Sequence, residues 1–387
     1  MSDSAASASA APASAASASS GVSAGRADSG RGASADDFAE RLVGSALGWM
    51  ETMSVHLGTQ LGWYDALAGS EPLTPPELAE RTGTSPRYAR EWLEQQAAVG
   101  ILEVAGPADV PADERRYALP AAQAEVLVDR SSLAYTAPLP RMLAAAGVQV
   151  ESLLQAYLTG GGVSWEQLGV HAREAQGDMN RPWLEAVPEV FARHAHVQER
   201  LSRPGARIAD VGMGEGWSSI ALATAHPEAT VDGFDVDAAS VGAARAHADA
   251  AGVADRVRFH LADAAELADH GPFDAVVAFE CVHDMPDPQA VLAAMRIGAG
   301  DDGVVVIMDE AVAEQFSPHA DDLDRLMYGY SLFICLPDGL AHQPSAGTGT
   351  VMRPSTLRRY AQEAGFADVR VLEEGFGFWR FYELVRP

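Results

Sequence analysis

Apolar side chains recur at helical spacing between residue 36 and about residue 67. They include Phe38, Leu42, Ala46, Trp49 and Met53. A spacing of three or four residues places such side chains along one face of a helix. The sequence therefore predicts an amphipathic helix in this region.

Two shorter helices are predicted next, each with its own start signal. Thr74 suits the N-cap, Pro75 the first helical position, and Glu77 completes a capping box, while Gly83 ends the helix. Ser85 and the proline after it start the second helix, and strand-like segments follow at residues 101–104 and 116–119. Helix, tight turn, helix and a two-stranded wing predict a winged helix-turn-helix.

Between residues 120 and 201, helical patterns alternate with irregular segments. Breaks are predicted at the glycines 160–162 and at Arg181-Pro182. We interpret this region as connecting helices between two domains, with a lid as one option.

From residue 206 onwards, short apolar segments alternate with helical ones. Strands are predicted at residues 207–211, 230–236, 257–261, 275–279, 303–308, 369–373 and 379–384. This alternation is typical of a doubly wound sheet, and the short link between the last two strands predicts an antiparallel hairpin. The predicted fold class is α/β, a Rossmann-like seven-stranded sheet preceded by a mainly helical winged-helix domain.

These patterns divide the chain into four parts. Residues 1–35 form an Ala/Ser-rich tail, which we expect to be disordered because it cannot bury enough apolar surface. Residues 36–125 form the winged-helix domain, 126–205 the connecting helices and 206–387 the α/β domain.

Composition removes several classes of function. All 27 basic residues are arginine, so lysine Schiff bases and lysine-containing phosphate loops are excluded. The net charge of −27 disfavours nucleic acid. Two cysteines make neither a disulfide framework nor a cysteine-rich zinc site, and no apolar run approaches the roughly 20 residues needed to span a bilayer. We expect a cytoplasmic protein without membrane contact.

A glycine-rich turn follows the first strand of the predicted sheet. Asp210 ends that strand, and Gly212, Gly214 and Gly216 follow it. Glycines at this place let the backbone approach a ligand beyond the carboxyl ends of the strands.

Two acids stand after the second and third strands. Asp235 lies about 20 residues after the turn, where a carboxylate can accept hydrogen bonds from ribose hydroxyls. Asp237 is the next candidate for that role. Asp263 follows the third strand, where its carboxylate can bind an adenine amino group while Ala264 leaves room for the ring.

The turn, the two acids and the terminal hairpin together resemble the class I methyltransferases. The resemblance covers residues 206–387 and implies S-adenosylmethionine as cofactor and S-adenosylhomocysteine as product. It implies that Asp210 and the three glycines hold the methionine end, Asp235 the ribose and Asp263 the adenine. We place Val236, Ala264 and Phe279 in the same cofactor site.

The fourth strand is followed by His283-Asp284-Met285-Pro286-Asp287. This segment resembles the His-Asp-Trp-x-Asp of winged-helix small-molecule O-methyltransferases, although Met285 replaces the tryptophan. The resemblance implies that His283 is the general base, that Asp284 lines its pocket and that Glu310 orients the base. In related enzymes that methylate carbon or nitrogen, a histidine here is structural, and this alternative stays open.

An aromatic and methionine-rich segment between residues 324 and 350 is the candidate wall of an acceptor pocket. Tyr328, Tyr330 and Phe333 are its candidate residues, although ordinary helix packing explains the pattern equally well. His171, Arg173, Asn180 and Arg181 in the connecting region could also reach the acceptor. We expect a small molecule of secondary metabolism as acceptor and no metal.

The winged helix raises DNA binding as an alternative. The candidate recognition helix carries two arginines, Arg87 and Arg90, against two acids, Glu91 and Glu94, so its net charge is zero. DNA readers need a positive surface. We therefore expect a homodimerisation domain, as in the O-methyltransferases that this chain resembles, rather than a non-catalytic regulator.

Overall fold

The computed structural model describes residues 34–387. The expected disordered tail lies outside the described residues except for its last two positions. Among the described residues, those up to Trp49 and those from Met50 onwards belong to two separate units. Helix α1, Ala35–Gln60, begins in the first unit and confirms the first helical pattern. Its apolar side chains Phe38, Leu42 and Trp49 are exposed.

The winged helix follows in the second unit. Its elements are α2 (Trp63–Leu67), α3 (Pro75–Thr82), α4 (Pro86–Ala98), β1 (Glu103–Ala105) and β2 (Arg116–Ala118). The capping box is present, since the Thr74 hydroxyl accepts from the Glu77 N–H and the Glu77 carboxylate accepts from the Thr74 N–H. The two strands pair antiparallel as the predicted wing. Tyr64, Leu78 and Tyr117 are fully buried between these elements.

Five helices connect the winged helix to the sheet. They are α5 (Ala121–Leu127), α6 (Pro138–Val148), α7 (Val150–Thr159), α8 (Trp165–Ala192) and α9 (Ala195–Leu201). The predicted break after residue 159 is present, but the break predicted at Arg181-Pro182 is wrong because α8 continues through Pro182. A proline inside a helix costs about 3 kcal/mol. Here the burial of Pro182, Leu184 and Val187 offsets that cost.

The second half of the chain forms a seven-stranded sheet. Its strands are β3 (Arg207–Val211), β4 (Thr230–Asp235), β5 (Val257–Leu261), β6 (Ala275–Phe279), β7 (Val304–Glu310), β8 (Asp368–Phe376) and β9 (Trp379–Val385). Their order is β5-β4-β3-β6-β7-β9-β8. The first five strands are parallel, and β9 is antiparallel to both β7 and β8. The predicted fold class and terminal hairpin are confirmed.

Helices cover both faces of this sheet. They are α10 (Trp217–Ala225), α11 (Ala238–Ala251), α12 (Pro288–Gly298) and α15 (Pro354–Glu363), and a 3-10 turn, Ala264–Asp269, lies between β5 and β6. Alternate strand residues belong to two apolar clusters, for example Ile208 to one and Ala209 to the other. The strand order reverses between β3 and β6, which creates a crevice at their carboxyl ends.

An insertion between β7 and α15 completes the structure. It consists of α13 (Asp322–Tyr330), a π-helical turn (Ser331–Cys335) and α14 (Leu336–Ala341). In the part of the chain that the structure describes, no helix combines the length and apolar character needed to span a membrane.

Candidate active site

A cavity of about 910 Å³ opens at the carboxyl ends of β3, β4, β5 and β6. It is lined by the four loops that follow these strands and by residues of α8 and α13. Small-molecule sites span roughly 300–1,000 Å³. The volume is therefore large enough for two ligands side by side.

The glycine-rich turn after β3 contains three residues in the left-handed region. Their φ angles are 65° at Gly212, 52° at Gly214 and 81° at Gly216. A Cβ at Gly212 would lie 2.7 Å from Cys281 Sγ, whereas a Cβ at Gly214 would meet no atom within 4 Å. The turn thus leaves open space beside Gly214. Gly216 caps α10 and does not line the cavity.

Asp210 lies inside the protein rather than at the cavity. It is fully buried, and its carboxylate accepts hydrogen bonds of 2.6 Å from the hydroxyls of Ser218 and Ser219. Burial raises its pKa to about 6. The expected contact of Asp210 with the methionine end is therefore indirect, because its side chain joins β3 to α10 instead of facing the cavity.

Asp235 faces the cavity from the end of β4. Its carboxylate accepts hydrogen bonds of 2.8 Å from the N–H groups of Gly214 and Asp237, and burial raises its pKa. Asp237 has other partners: it caps α11 and accepts hydrogen bonds from the Arg173 guanidinium, the shorter of 2.8 Å. Of the two acids, Asp235 is the better placed for a ligand of the cavity.

The remaining cofactor candidates also line the cavity. Val236, Ala264 and Phe279 do so, and Asp263 lies at the start of the 3-10 turn after β5. The Asp263 carboxylate accepts a 2.8 Å hydrogen bond from the Ala265 N–H. The structure thus brings together eight of the nine cofactor candidates around the cavity or its glycine turn, with Asp210 behind them.

His283 lines the cavity although only 2% of it is exposed. Its Nδ1 lies 3.0 Å from Asp309 Oδ1 and 3.2 Å from Glu310 Oε2, and its Nε2 lies 3.2 Å from Asp284 Oδ1. The hydrogen bond of Nδ1 goes to Asp309. The sequence reasoning thus missed Asp309, while Glu310, its candidate for orienting the base, lies within ion-pair distance of the same nitrogen.

The acids around His283 determine its charge. Burial lowers the pKa of His283, but Asp284, Glu310 and Asp309 raise it by more, so it lies well above the usual value. Burial raises the pKa of Asp309, but the charge and hydrogen bond of His283 and the hydrogen bonds of Glu310 together lower it by more, whereas burial raises the pKa of Glu310 well above its usual value. These directions favour an ion pair of His283 with Asp309 and disfavour a charge on Glu310.

Glu280 is a cavity residue that the sequence reasoning missed. Within residues 34–387 it is the non-glycine residue with a positive φ, 52°, directly after β6. Its Oε2 accepts hydrogen bonds of 2.6 Å from the Asn180 amide and 3.1 Å from the Gln176 amide. Burial raises its pKa to about 8. Its place after a buried strand, three residues before His283, was the available signal.

Of the connecting-region candidates, Arg173 and Asn180 line the cavity and His171 and Arg181 do not. The His171 ring accepts from Arg141, and the Arg181 guanidinium lies 4.1 Å from the centre of the Trp217 ring.

The acceptor wall is only partly as predicted. Tyr330 lines the cavity together with Met327 and Ile334, which lie on the same helical face. Tyr328 and Phe333 do not line it, so their assignment to the acceptor pocket stays a prediction without support from the cavity. Tyr328 accepts a hydrogen bond from Arg353, and Phe333 is exposed.

Two groups of side chains bring possible metal ligands together. One contains His283, Asp284 and Cys335, and the other His283, Asp309 and Glu310; in each, the ligand atoms lie within 4.8 Å of one another. Both groups share His283, whose Nδ1 already donates to Asp309.

Two family models match the chain. Residues 208–299 match a methyltransferase domain, and residues 46–129 match an Rv2258c-like winged helix-turn-helix domain. An uncharacterized Synechococcus protein is 30% identical over 172 residues, which cover 40% of each chain. A ubiquinone biosynthesis O-methyltransferase of Methylococcus capsulatus is 29% identical over 223 residues, which cover 55% of this chain and 84% of that protein.

Solved structures of O-methyltransferases share the fold over most of their length. The mitomycin 7-O-methyltransferase MmcR has a TM-score of 0.66 at 21% identity, covering 91% of this chain and 99% of its own. Human N-acetylserotonin methyltransferase with S-adenosylmethionine has a TM-score of 0.62 at 18% identity, covering 92% and 99%. The neocarzinostatin-biosynthesis O-methyltransferase NcsB1, with S-adenosylmethionine and 2-hydroxy-5-methyl naphthoic acid, has a TM-score of 0.58 at 20% identity, covering 87% and 96%.

The matched domains, the sheet order and the glycine turn agree with one another. The protein is an S-adenosylmethionine-dependent methyltransferase, in which residues 208–299 match the methyltransferase domain and residues 46–129 match the winged helix-turn-helix domain.

Proposed function

We propose that this enzyme transfers the methyl group of S-adenosylmethionine to a hydroxyl group of a small-molecule acceptor. The observation that carries this proposal is that His283 faces the same cavity as the glycine turn and Asp235. A base and a cofactor site thus share one enclosed space. The O-methyltransferases that share the fold support the choice of oxygen.

The cofactor would be held by the four loops at the sheet edge. The open space beside Gly214 gives its methionine end room next to the backbone, and Asp235 accepts hydrogen bonds from the ribose. Asp263 and Ala264 lie beside the adenine, with Val236 and Phe279 completing the site. When bound, S-adenosylmethionine supplies an electrophilic methyl group on a sulfonium.

The protein prepares the acceptor oxygen for attack. His283 Nε2 takes the proton of the acceptor hydroxyl, which makes the oxygen a better nucleophile. Asp309 accepts the Nδ1–H hydrogen bond, so that Nε2 is the nitrogen presented to the acceptor. Asp284 lies 3.2 Å from Nε2, next to the position of the transferred proton.

Calorimetry with S-adenosylhomocysteine tests the cofactor site. Asp235→Ala removes both ribose acceptors, and hydrogen bonds to charged groups contribute about 1.5–3 kcal/mol, so we expect roughly 10-fold to 100-fold weaker binding. Asp255→Ala, on an exposed carboxylate outside the cavity, serves as the control and should bind as the wild type does. Equal affinity of the Asp235 variant and the wild type would contradict the ribose assignment.

A second candidate is methyl transfer to nitrogen or carbon with His283 structural. The observation that favours it is the pKa of His283: burial lowers it, but Asp284, Glu310 and Asp309 raise it by more, which favours the charged ring that cannot act as a base. The variant His283→Gln separates the two candidates. A base contributes roughly 10²–10⁴-fold to the rate. Loss of that size supports O-methylation, and near-normal turnover supports the second candidate.

The quaternary structure that fits this enzyme is a homodimer. Helix α1 carries exposed apolar side chains, among them Leu42, Leu47 and Trp49. Large apolar side chains at such density on one helix are typical of an interface. The neutral helix α4 offers no positive surface to DNA, which supports dimerisation as the role of the winged-helix domain.

A further inference from the structure

The side chains that line the cavity are far more often acidic than basic. Nine carboxyl groups line it, and among the described residues Arg173 is the arginine that does so. That guanidinium is already paired with Asp237 at 2.8 Å. The chain has no lysine that could neutralise the others. The cavity thus offers a negatively charged ligand no unpaired arginine or lysine among the described residues.

Three of these carboxyl groups surround His283, away from the loops assigned to the ribose and adenine. Asp284 Oδ1 and Glu310 Oε2 each lie 3.2 Å from a ring nitrogen of His283, whereas Glu280 Oε1 is buried without a hydrogen bond from any described residue. Glu310 is only 6% exposed. A buried acceptor oxygen without a donor is destabilising, because it has lost its hydrogen bonds to water. A ligand that brings an N–H donor to Glu280 Oε1 removes this cost.

Glu280 is the most specifically built of the three. The amides of Gln176 and Asn180 from α8 both donate to its Oε2, which fixes the carboxyl and leaves Oε1 for a ligand. The positive φ at this residue shows that the backbone is strained to present the side chain. Burial raises its pKa to about 8, and a neighbouring cation would lower it again.

Another part of the cavity wall is apolar. Met327, Tyr330 and Ile334 of the insertion form part of it. A ligand that fits both walls has an apolar body and a positively charged end.

We propose that the acceptor is a small apolar molecule that carries a protonated amine, bound by the unpaired Oε1 of Glu280. This inference rests on the proposed function, since it names the acceptor class of that same site. The cavity repels carboxylate-bearing acceptors. It therefore differs in its ligand from NcsB1, whose structure holds a naphthoic acid.

Three phenols of matched shape test the proposal on the full-length protein saturated with S-adenosylhomocysteine. They are 4-(2-aminoethyl)phenol, 4-propylphenol and 3-(4-hydroxyphenyl)propionate, which carry an ammonium, a methyl and a carboxylate at the same end. Calorimetry should rank the ammonium compound about tenfold or more above the neutral one, because desolvated charge-assisted hydrogen bonds are strong. The carboxylate should bind most weakly.

Glu280→Gln should reduce the advantage of the ammonium compound over 4-propylphenol by about tenfold. The control Glu314→Gln removes one exposed negative charge outside the cavity and should leave the ranking unchanged. S-adenosylhomocysteine binding by each variant reports whether its cofactor site is intact. If Glu280→Gln does not fold, the wild-type ranking alone still decides.

These experiments distinguish failure of the proposed function from failure of the amine-acceptor proposal. Wild-type protein that does not bind S-adenosylhomocysteine refutes the proposed function. Protein that binds it but prefers the carboxylate, treats the three phenols alike, or fails to bind the ammonium compound at millimolar concentration refutes the amine acceptor alone. An unchanged ranking in Glu280→Gln removes Glu280 from the site.

Discussion

The protonation of His283 decides when this residue can act as a base. Burial lowers its pKa, but Asp284, Glu310 and Asp309 raise it by more, to well above the usual value. Protonated imidazole cannot accept a proton. We therefore expect kcat/KM for the acceptor to rise with pH above neutrality instead of levelling off near pH 6.5. A pH profile of S-adenosylhomocysteine formation measures this, and a flat profile above pH 6.5 would contradict it.

Asp309→Asn tests the cause of this shift. The substitution removes the carboxylate that hydrogen-bonds to Nδ1, so the pKa of His283 should fall and the rising limb should move to lower pH. Asp302→Asn, at an exposed position outside the cavity, is the control and should leave the limb in place. A limb at the wild-type pH in Asp309→Asn would show that another group titrates.

Gly212 occupies a position where both the backbone conformation and the available space exclude a side chain. With φ at 65° and Cys281 Sγ 2.7 Å from the place of a Cβ, Gly212→Ala should cost about 1–3 kcal/mol and weaken S-adenosylhomocysteine binding. Gly242→Ala is the matched control, since it lies inside α11 with no atom within 4 Å of its Cβ. It should stabilise by roughly 0.5–1 kcal/mol. Urea unfolding and calorimetry give both quantities, and equal effects of the two variants would refute the strain.

Among the elements, α3 and α4 start with the same sequence signal but different hydrogen bonds. Thr74 accepts from the Glu77 N–H, whereas the Ser85 side chain makes no capping hydrogen bond. Thr74→Ala should therefore destabilise the winged helix by about 1 kcal/mol and Ser85→Ala by clearly less. Urea unfolding followed by tryptophan fluorescence reports on this domain, because Trp63 and Trp92 lie in its core. A larger loss in Ser85→Ala would overturn the assignment of the caps.

Features that depend on neighbouring residues could be predicted from the sequence. The parallel strands, the capping box and the glycine turn follow from patterns within a few residues of one another, and these predictions are confirmed. The continuous helix through Pro182 depends on burial against distant elements. The partners of Glu280 come from α8, about 100 residues earlier, so no local pattern contains them.

The acid that hydrogen-bonds to His283 could not be identified from the sequence alone. The sequence pointed to Glu310, but both acids end β7 and both lie within 3.2 Å of His283 Nδ1. Only the position of the imidazole, on the neighbouring loop after β6, selects Asp309. Likewise, the π-helical turn after Tyr330 changes the helical phase and turns Phe333 away from the cavity.

At the scale of the whole molecule, the net charge disfavours self-association and the exposed apolar surface favours it. Two copies with a formal charge of −27 repel, and salt screens that repulsion. The exposed apolar side chains of α1 provide the attraction; Leu42 and Trp49 are 54% and 63% exposed. We therefore expect a dimer that tightens as salt is added, the opposite of complexes held by ion pairs. Sedimentation equilibrium at several salt concentrations measures this.

Substitutions in α1 identify the surface responsible. The double variant Leu42→Glu, Trp49→Glu adds negative charge to each copy and removes apolar contact between copies. Burying one such apolar side chain contributes about 1.5–3 kcal/mol. The double variant should therefore sediment as a monomer at every salt concentration. Glu51→Gln, at an exposed polar position of the same helix, should remain dimeric. A double variant that dimerises like the wild type would place the interface elsewhere, and a wild type that stays monomeric in high salt would remove the dimer altogether.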